Sequence, residues 1–204
     1  MAADVPARPS LRERKKAKTR AAIRRATYRL AAEGGWESAT TDRIAAAAEV
    51  SPSTVARYFP VREDILLTGE DDALLEARLR ARPAGEDPLE SLRAVLLDAV
   101  RTALAEEPEE TGLRARLMVE IPAVRARLTD TTAETGRRLA RALADRTGRA
   151  PDALEVRVFT AAVLGALRET AAHWAEHGRA DDLVALLDRA FDTLRGGPAL
   201  PAPP

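Results

Sequence analysis

Scarcity of β-branched residues is the tightest constraint on this chain. Its 204 residues include 12 Val and 4 Ile, against 43 Ala and 25 Leu. Strands draw their stability from β-branched and aromatic side chains packed across a pleated face, and aromatics are only 3% of the sequence. Alanine and straight-chain residues instead lose little rotamer freedom in a helix. An all-α fold of about nine helices follows, and sheet-based classes are nearly excluded. Hydrophobic residues at 46% and charged residues at 31%, finely mixed, fit a packed globule rather than a disordered chain.

The same sequence narrows the chemistry. It holds no cysteine, which removes disulfides, Cys-based zinc sites and thiol catalysis. Uncharged stretches fall well short of the roughly 20 residues a membrane span needs. No apolar run follows the basic N-terminal stretch, so a secretory signal is not expected and the cytoplasm is the simplest location. We find no nucleophile–base arrangement, metal cluster or Gly-rich phosphate loop, so the expectation is no enzyme, no cofactor and no metal. His173 and His177 lie four apart with Glu169 one turn earlier, a spacing compatible with a metal. Without further ligands they read as two exposed histidines near a helix end.

Formal net charge is zero, but it is unevenly placed. Residues 1–68 carry 13 Lys/Arg against 8 Asp/Glu, and residues 69–204 carry 19 against 24. A basic front and an acidic rear imply that only the front meets a polyanion.

Proline and glycine divide the chain into a flexible arm (1–10), a helix-turn-helix domain (11–60), a connecting helix (61–82), a second helical domain (83–195) and a disordered tail (196–204). Within them, helices are expected from Leu11 to about Glu33, from Thr40 to Ala48, from Ser51 to Phe59 and from Arg62 to Arg82. Five more follow the linker Arg82-Pro83-Ala84-Gly85, over roughly 87–106, 111–120, 123–147, 152–178 and 181–195.

Residues 40–59, TTDRIAAAAEVSPSTVARYF, carry the strongest signal. Two short helices can cross closely only with a small residue at the crossing, here Ala45. Apolar Ile44, Ala48, Val50 and Val55 fall where the angle must be sealed. Thr40 and Ser51 are good N-caps, and Pro52 occupies the first helical position, where its missing N–H costs nothing. The second helix would then project Ser53, Thr54, Ala56 and Arg57 toward a major groove. A strongly basic helix lies just upstream.

From about Arg12 to Leu67 the chain resembles the DNA-binding domain of the TetR family of bacterial transcriptional repressors. The matching stretches are RERKKAKTR, GWESATTDRIAAAAEVS and PSTVARYFPVREDIL. The departures are Glu49 where glycine is frequent, Ala31 where an aromatic is usual, and Val61 where a capping Ser or Asn is common. Glu49 is expected to carry strain if its backbone is left-handed.

The resemblance implies roles. Thr40 and Thr41 would bond phosphates through hydroxyl and backbone N–H, and Tyr58 and Arg62 would hold the opposite edge of the duplex backbone. Ser53, Thr54, Ala56 and Arg57 would read bases, with Arg57 the candidate for a bidentate guanine contact. The basic stretch from Arg8 to Arg20, Lys18 and Arg20 included, would add salt-sensitive phosphate binding. The implied function is a sequence-specific regulator, a repressor released from a palindromic operator by a small-molecule effector. The alternatives are an architectural protein that binds DNA without sequence readout, or an all-helical enzyme or carrier.

The resemblance also implies a homodimer built on the C-terminal helices. Residues 158–167 are apolar on all sides of a helix, and such a helix must be covered all round. Leu164, Gly165, Leu167, Leu187 and Phe191 are the expected seam. An effector cavity is implied among the middle helices, with Met118, Thr132, Thr135, Phe159 and Trp174 as candidate walls. Helix 62–82 is the expected lever between effector and DNA.

Overall fold

The computed structural model describes residues 10–67 and 72–197. Among these there are ten α-helices, one 3-10 turn and no strand. The chain forms two compact units, residues 1–66 and 67–204.

The first unit opens with α1 (Leu11–Gly34), passes through a 3-10 turn (Trp36–Ser38), and continues with α2 (Thr41–Ala47), α3 (Pro52–Tyr58) and the start of α4 (Asp64–Leu67). Ile23 and Leu30 of α1, Ile44 and Ala45 of α2, Val55 and Phe59 around α3, and Ile65 of α4 form one core. Ala31 is buried without the bulk of an aromatic. The caps hold as the sequence implies: Thr40 accepts from the Arg43 N–H at 3.4 Å and Ser51 from the Thr54 N–H at 3.1 Å. Between α2 and α3 the chain reverses at Glu49, whose φ is 56°. There the Val50 N–H donates to the Ala45 carbonyl at 3.0 Å, the six-to-one bond of a Schellman turn. Glu49 therefore adopts the left-handed conformation that glycine takes without cost.

The expected connecting helix over 62–82 is seen as two pieces, α4 and α5 (Asp72–Arg80), and residues 68–71 lie outside the described residues. The expected arm and tail also fall largely outside them, at 1–9 and 198–204. Gly196, assigned to the tail from the sequence, closes the last helix.

The second unit contains α5, α6 (Pro88–Glu106), α7 (Pro108–Glu120), α8 (Pro122–Thr147), α9 (Leu154–Glu176) and α10 (Leu183–Gly196). Proline stands at the first helical position of α6, α7 and α8, which sets those boundaries. Leu92 and Leu96 of α6, Leu139 and Leu143 of α8, Val163 of α9 and Phe191 of α10 meet in the main core. A smaller cluster joins Ala115, Trp174 and Leu183. Arg146 pins the α5–α6 turn by donating to the carbonyls of Leu79, Arg82 and Pro83 and to the Ser91 hydroxyl. Beside it, Glu86 pairs with Arg82 and accepts from Ser91. The Arg82 hydrogen bond, then the Ser91 bond and the nearby Arg146 charge, hold the Glu86 carboxyl down to about 2.

Candidate nucleic-acid interface

Burial sorts the side chains of α3. Val55 turns into the core, while Ser53, Ala56 and Arg57 are exposed along one face. That is the face from which a recognition helix reads base edges. Ser51 organises its start. The Ser51 hydroxyl lies 2.8 Å from the Ser53 hydroxyl and 2.9 Å from that of Thr54, besides capping the helix. Thr54 is half-buried, so among the expected base readers it is the least available. Arg57 reaches over the Tyr58 ring at 5.4 Å and is an exposed residue.

At the start of α2, Thr40 is exposed and Thr41 half-buried. The Thr40 oxygen accepts the cap bond, which leaves its own O–H to donate outward. Arg43, which the sequence analysis does not single out, is exposed on the first turn of α2. Its guanidinium donates to the Ser38 carbonyl at 3.0 Å, while its backbone N–H donates to the Thr40 hydroxyl.

Two arginines expected to grip phosphates have structural partners. Arg62 lies over the buried Trp36 ring at 4.4 Å, donates to the Ala39 carbonyl at 3.5 Å and pairs with Glu37 at 3.7 Å. Arg20 lies over the Phe59 ring at 4.5 Å and donates to the Tyr58 carbonyl at 3.4 Å. Both are half-buried. Cation–π contacts of this kind fasten α1 to the end of α3, through Arg20 and Phe59, and the segment before α4 to the 3-10 turn, through Arg62 and Trp36. Lys18 is exposed, about 160° around α1 from Arg20 at 100° per residue.

In the second unit, the expected seam residues are mostly turned inward. Leu164, Leu187 and Phe191 are buried in the protomer's own main core, and Leu167 packs against it. The outward apolar residues of α9 are Leu154 and Val158, 71% and 58% exposed, with Ala161 and Ala162. Gly165 lies near this stripe, and a Cβ added there would meet nothing within 4 Å. Beyond it an open groove of about 390 Å³ runs between α9 and α10, walled by Ala166, Thr170 and His173 on one side and Leu186, Ala190 and Leu194 on the other.

That groove takes no wall from the expected effector residues. Phe159 packs against the main core. Trp174 is buried in the smaller cluster, with its indole N–H donating to the Asp181 carbonyl at 2.9 Å. Met118, Thr132 and Thr135 are half-buried on α7 and α8. His173 and His177 are exposed with ring centroids 4.0 Å apart, and the His177 Nδ1 lies 2.8 Å from the His173 carbonyl. Among the described residues no group of three or more His, Cys, Asp or Glu could hold a metal ion. None of the described helices is long and apolar enough to cross a membrane.

A capped α2, a Schellman turn and an α3 with an exposed polar face define a helix-turn-helix protein, followed by a separate helical unit. Comparison with known proteins agrees across both units. Residues 23–68 match the family model of bacterial regulatory proteins of the tetR family, and residues 86–199 match the model of the MftR C-terminal domain. The HTH-type transcriptional regulator TcmR of Streptomyces glaucescens is 36% identical, over 93% of this chain and 88% of its own. The chain belongs to the TetR family and is a transcriptional regulator. Similar folds include Thermus thermophilus FadR, a TetR-family repressor solved with lauroyl-CoA. It has a TM-score of 0.59 at 24% identity, over 91% of this chain and 97% of that one. Bacillus subtilis FadR, solved with stearoyl-CoA, has a TM-score of 0.57 at 21% identity, over 84% and 95%.

Proposed function

We propose that this protein is a dimeric repressor that reads an inverted-repeat operator through the exposed face of α3 and leaves it when a small molecule binds the second unit. The observation that carries the reading is the exposure of Ser53, Ala56 and Arg57 on a helix whose start is fixed by Ser51. Arg57 supplies the fork that pairs with guanine O6 and N7, and the Ala56 methyl can meet a thymine methyl. Thr40 and Arg43 supply phosphate contacts that set the register.

Pairing of protomers through α9 and α10 is supported by the outward stripe of Leu154, Val158, Ala161 and Ala162. An apolar stripe of this kind on a regulator calls for a cover. A second copy provides it and supplies the second recognition helix, one duplex turn away at roughly 34–36 Å. Release then needs only an effector that binds a differently spaced state more tightly.

Selection from random-sequence duplexes tests the reading. Enrichment of an inverted repeat bound by two protomers is expected. Enrichment of no sequence, with uniform affinity across duplexes, would favour the architectural alternative. Loss of the footprint on adding an effector from a small-molecule panel is the expected sign of release.

A further inference from the structure

The core-facing side of α8 is interrupted along its middle. Val124, Leu128, Thr131, Thr135, Leu139 and Ala142 recur at steps of three and four, so they share one face. Val124, Leu139 and Ala142 are 0%, 1% and 0% exposed, yet no residue from 125 to 138 is buried. At 1.5 Å per residue that is about 21 Å of helix, with threonine where the apolar face would continue. The helix is also cationic. It carries six Arg against three acidic residues, in a part of the chain, 69–204, where 19 Lys/Arg meet 24 Asp/Glu.

α7 brings an unmet donor to the same place. One residue, Ile121, joins α7 to α8, and the two helices pack together, so they run back along each other as a helical hairpin. Arg114 stands seven residues before Ile121 and Leu128 seven after it, with Thr131 and Thr132 within about one further turn. Arg114 is half-buried, about 160° around α7 from the exposed Arg116. Its Nε is buried without a hydrogen-bond partner. Among the described residues its side chain makes no hydrogen bond or ion pair, not even with Glu110 one turn earlier. The half-buried Thr132 likewise finds no partner for its hydroxyl among them. A guanidinium cannot shed its charge by deprotonation, and a buried charged donor left unmet costs free energy.

We propose that Arg114 and Thr132 hold the acid group of an organic anion between α7 and α8, and that the effector of this protein is therefore an organic acid. The inference rests on the reading of the second unit as the effector-binding part, and it names that effector's chemistry. Water or a neutral acceptor can meet the buried N–H, but leaves the positive charge uncompensated in a half-buried place. An acid group meets both needs, and the guanidinium fork suits two of its oxygens at once. Other arginines of this unit find their carboxylates within the chain, Arg78 at Asp98 and Arg93 at Asp188. Arg114 is left for one from outside, and the cationic α8 draws such a ligand toward it.

The test uses the full chain and an anionic dye, anilinonaphthalene sulfonate, whose emission rises as it leaves water. Wild type is expected to bind it, and decanoate to displace it at concentrations where decanamide, of the same shape without the charge, does not. Arg114→Met should weaken both anions about tenfold or more, Arg114→Lys should keep the preference for decanoate over decanamide, and Arg116→Met, on the outward side of the same helix, should change neither. Without ligand, Arg114→Met should melt no lower than wild type, since the folded chain gives this guanidinium no partner to lose; decanoate should raise the Tm of wild type alone. A lower Tm for unliganded Arg114→Met would mark a structural arginine and overturn the proposal. So would equal displacement by decanoate and decanamide, undiminished anion binding by Arg114→Met, or no anion bound by wild type. Release of the selected duplex by uncharged compounds, with no anion bound, would overturn the proposal and leave the effector reading of the second unit standing. Anion binding lost in Arg114→Met, with the duplex released by no ligand at all, would uphold the site and bring down that reading instead.

Discussion

The two units expose opposite kinds of surface. In the first, the apolar residues of α2 and α3 are largely drawn inside, two arginines lie over aromatic rings, and polar groups on α2 and α3 are left outward, with Leu11 and Val61 the exposed large apolar side chains. In the second, a helix with its inward face already covered still presents Leu154 and Val158 to the outside. A polar face held by local caps can act as soon as the unit folds. An apolar face is finished only by a cover. The proposed DNA-reading surface is thus complete in a single protomer, whereas the proposed pairing surface, the outward face of α9, needs a second one to cover it.

That contrast can be broken most forcefully in the core of the first unit. Ile44→Ala leaves a cavity at the α2–α3 crossing, and large-to-small changes at buried sites of this size cost about 2–5 kcal/mol. Thermal unfolding should shift accordingly and DNA affinity should fall, while the association of protomers persists. At the other unit, Leu154→Glu/Val158→Glu puts two charges on the outward stripe of α9. Sedimentation at micromolar concentration should then report a single protomer with an intact helical spectrum. A pair that survives these charges would move the seam elsewhere on the chain. Gly165→Leu should also weaken pairing, because a Cβ there meets nothing within 4 Å in the protomer and the added bulk would stand beside the outward stripe.

How much of this was legible in the sequence follows the range of the interactions. The helix-turn-helix was readable because its signals are local: Thr40 caps an N–H three residues on, Ser51 does the same, and Pro52 sits beside its cap. Arg20 and Arg62 were read as phosphate ligands because their structural partners are distant along the chain. Arg20 finds Tyr58 38 positions away, and Arg62 finds Ala39 23 positions away. The run over 158–167 is apolar on every side, so it carries no phase and could not say which face turns inward. That is why Leu164 was expected at a seam when it lies in the protomer's own core. The all-helical class follows from composition, and the starts of α3, α6 and α8 from proline beside a turn, which act without regard to tertiary contacts; α7 begins at Pro108, three residues ahead of the expected 111.

Smaller effects sharpen the comparison. The Glu86 carboxyl is held at about 2, against an ordinary value of 4.5. Its pairing with Arg82 and Ser91 therefore stabilises the second unit above pH 4.5, and that contribution is lost as pH falls from 4.5 toward 2. Wild type should exceed Glu86→Gln in Tm at pH 7, and the gap should close near pH 2. In the first unit, Glu49→Gly relieves the left-handed backbone and should stabilise by about 0.5–1 kcal/mol, read from denaturant midpoints.

The central claim is that Arg57 reads sequence from an exposed helix face. Affinity of wild type and Arg57→Ala measured against every single base-pair substitution of the selected operator tests it. The variant should lose about 1–3 kcal/mol of discrimination at one base step in each half-site and keep its preferences elsewhere. Uniform weakening across all positions, with the profile otherwise unchanged, would contradict it.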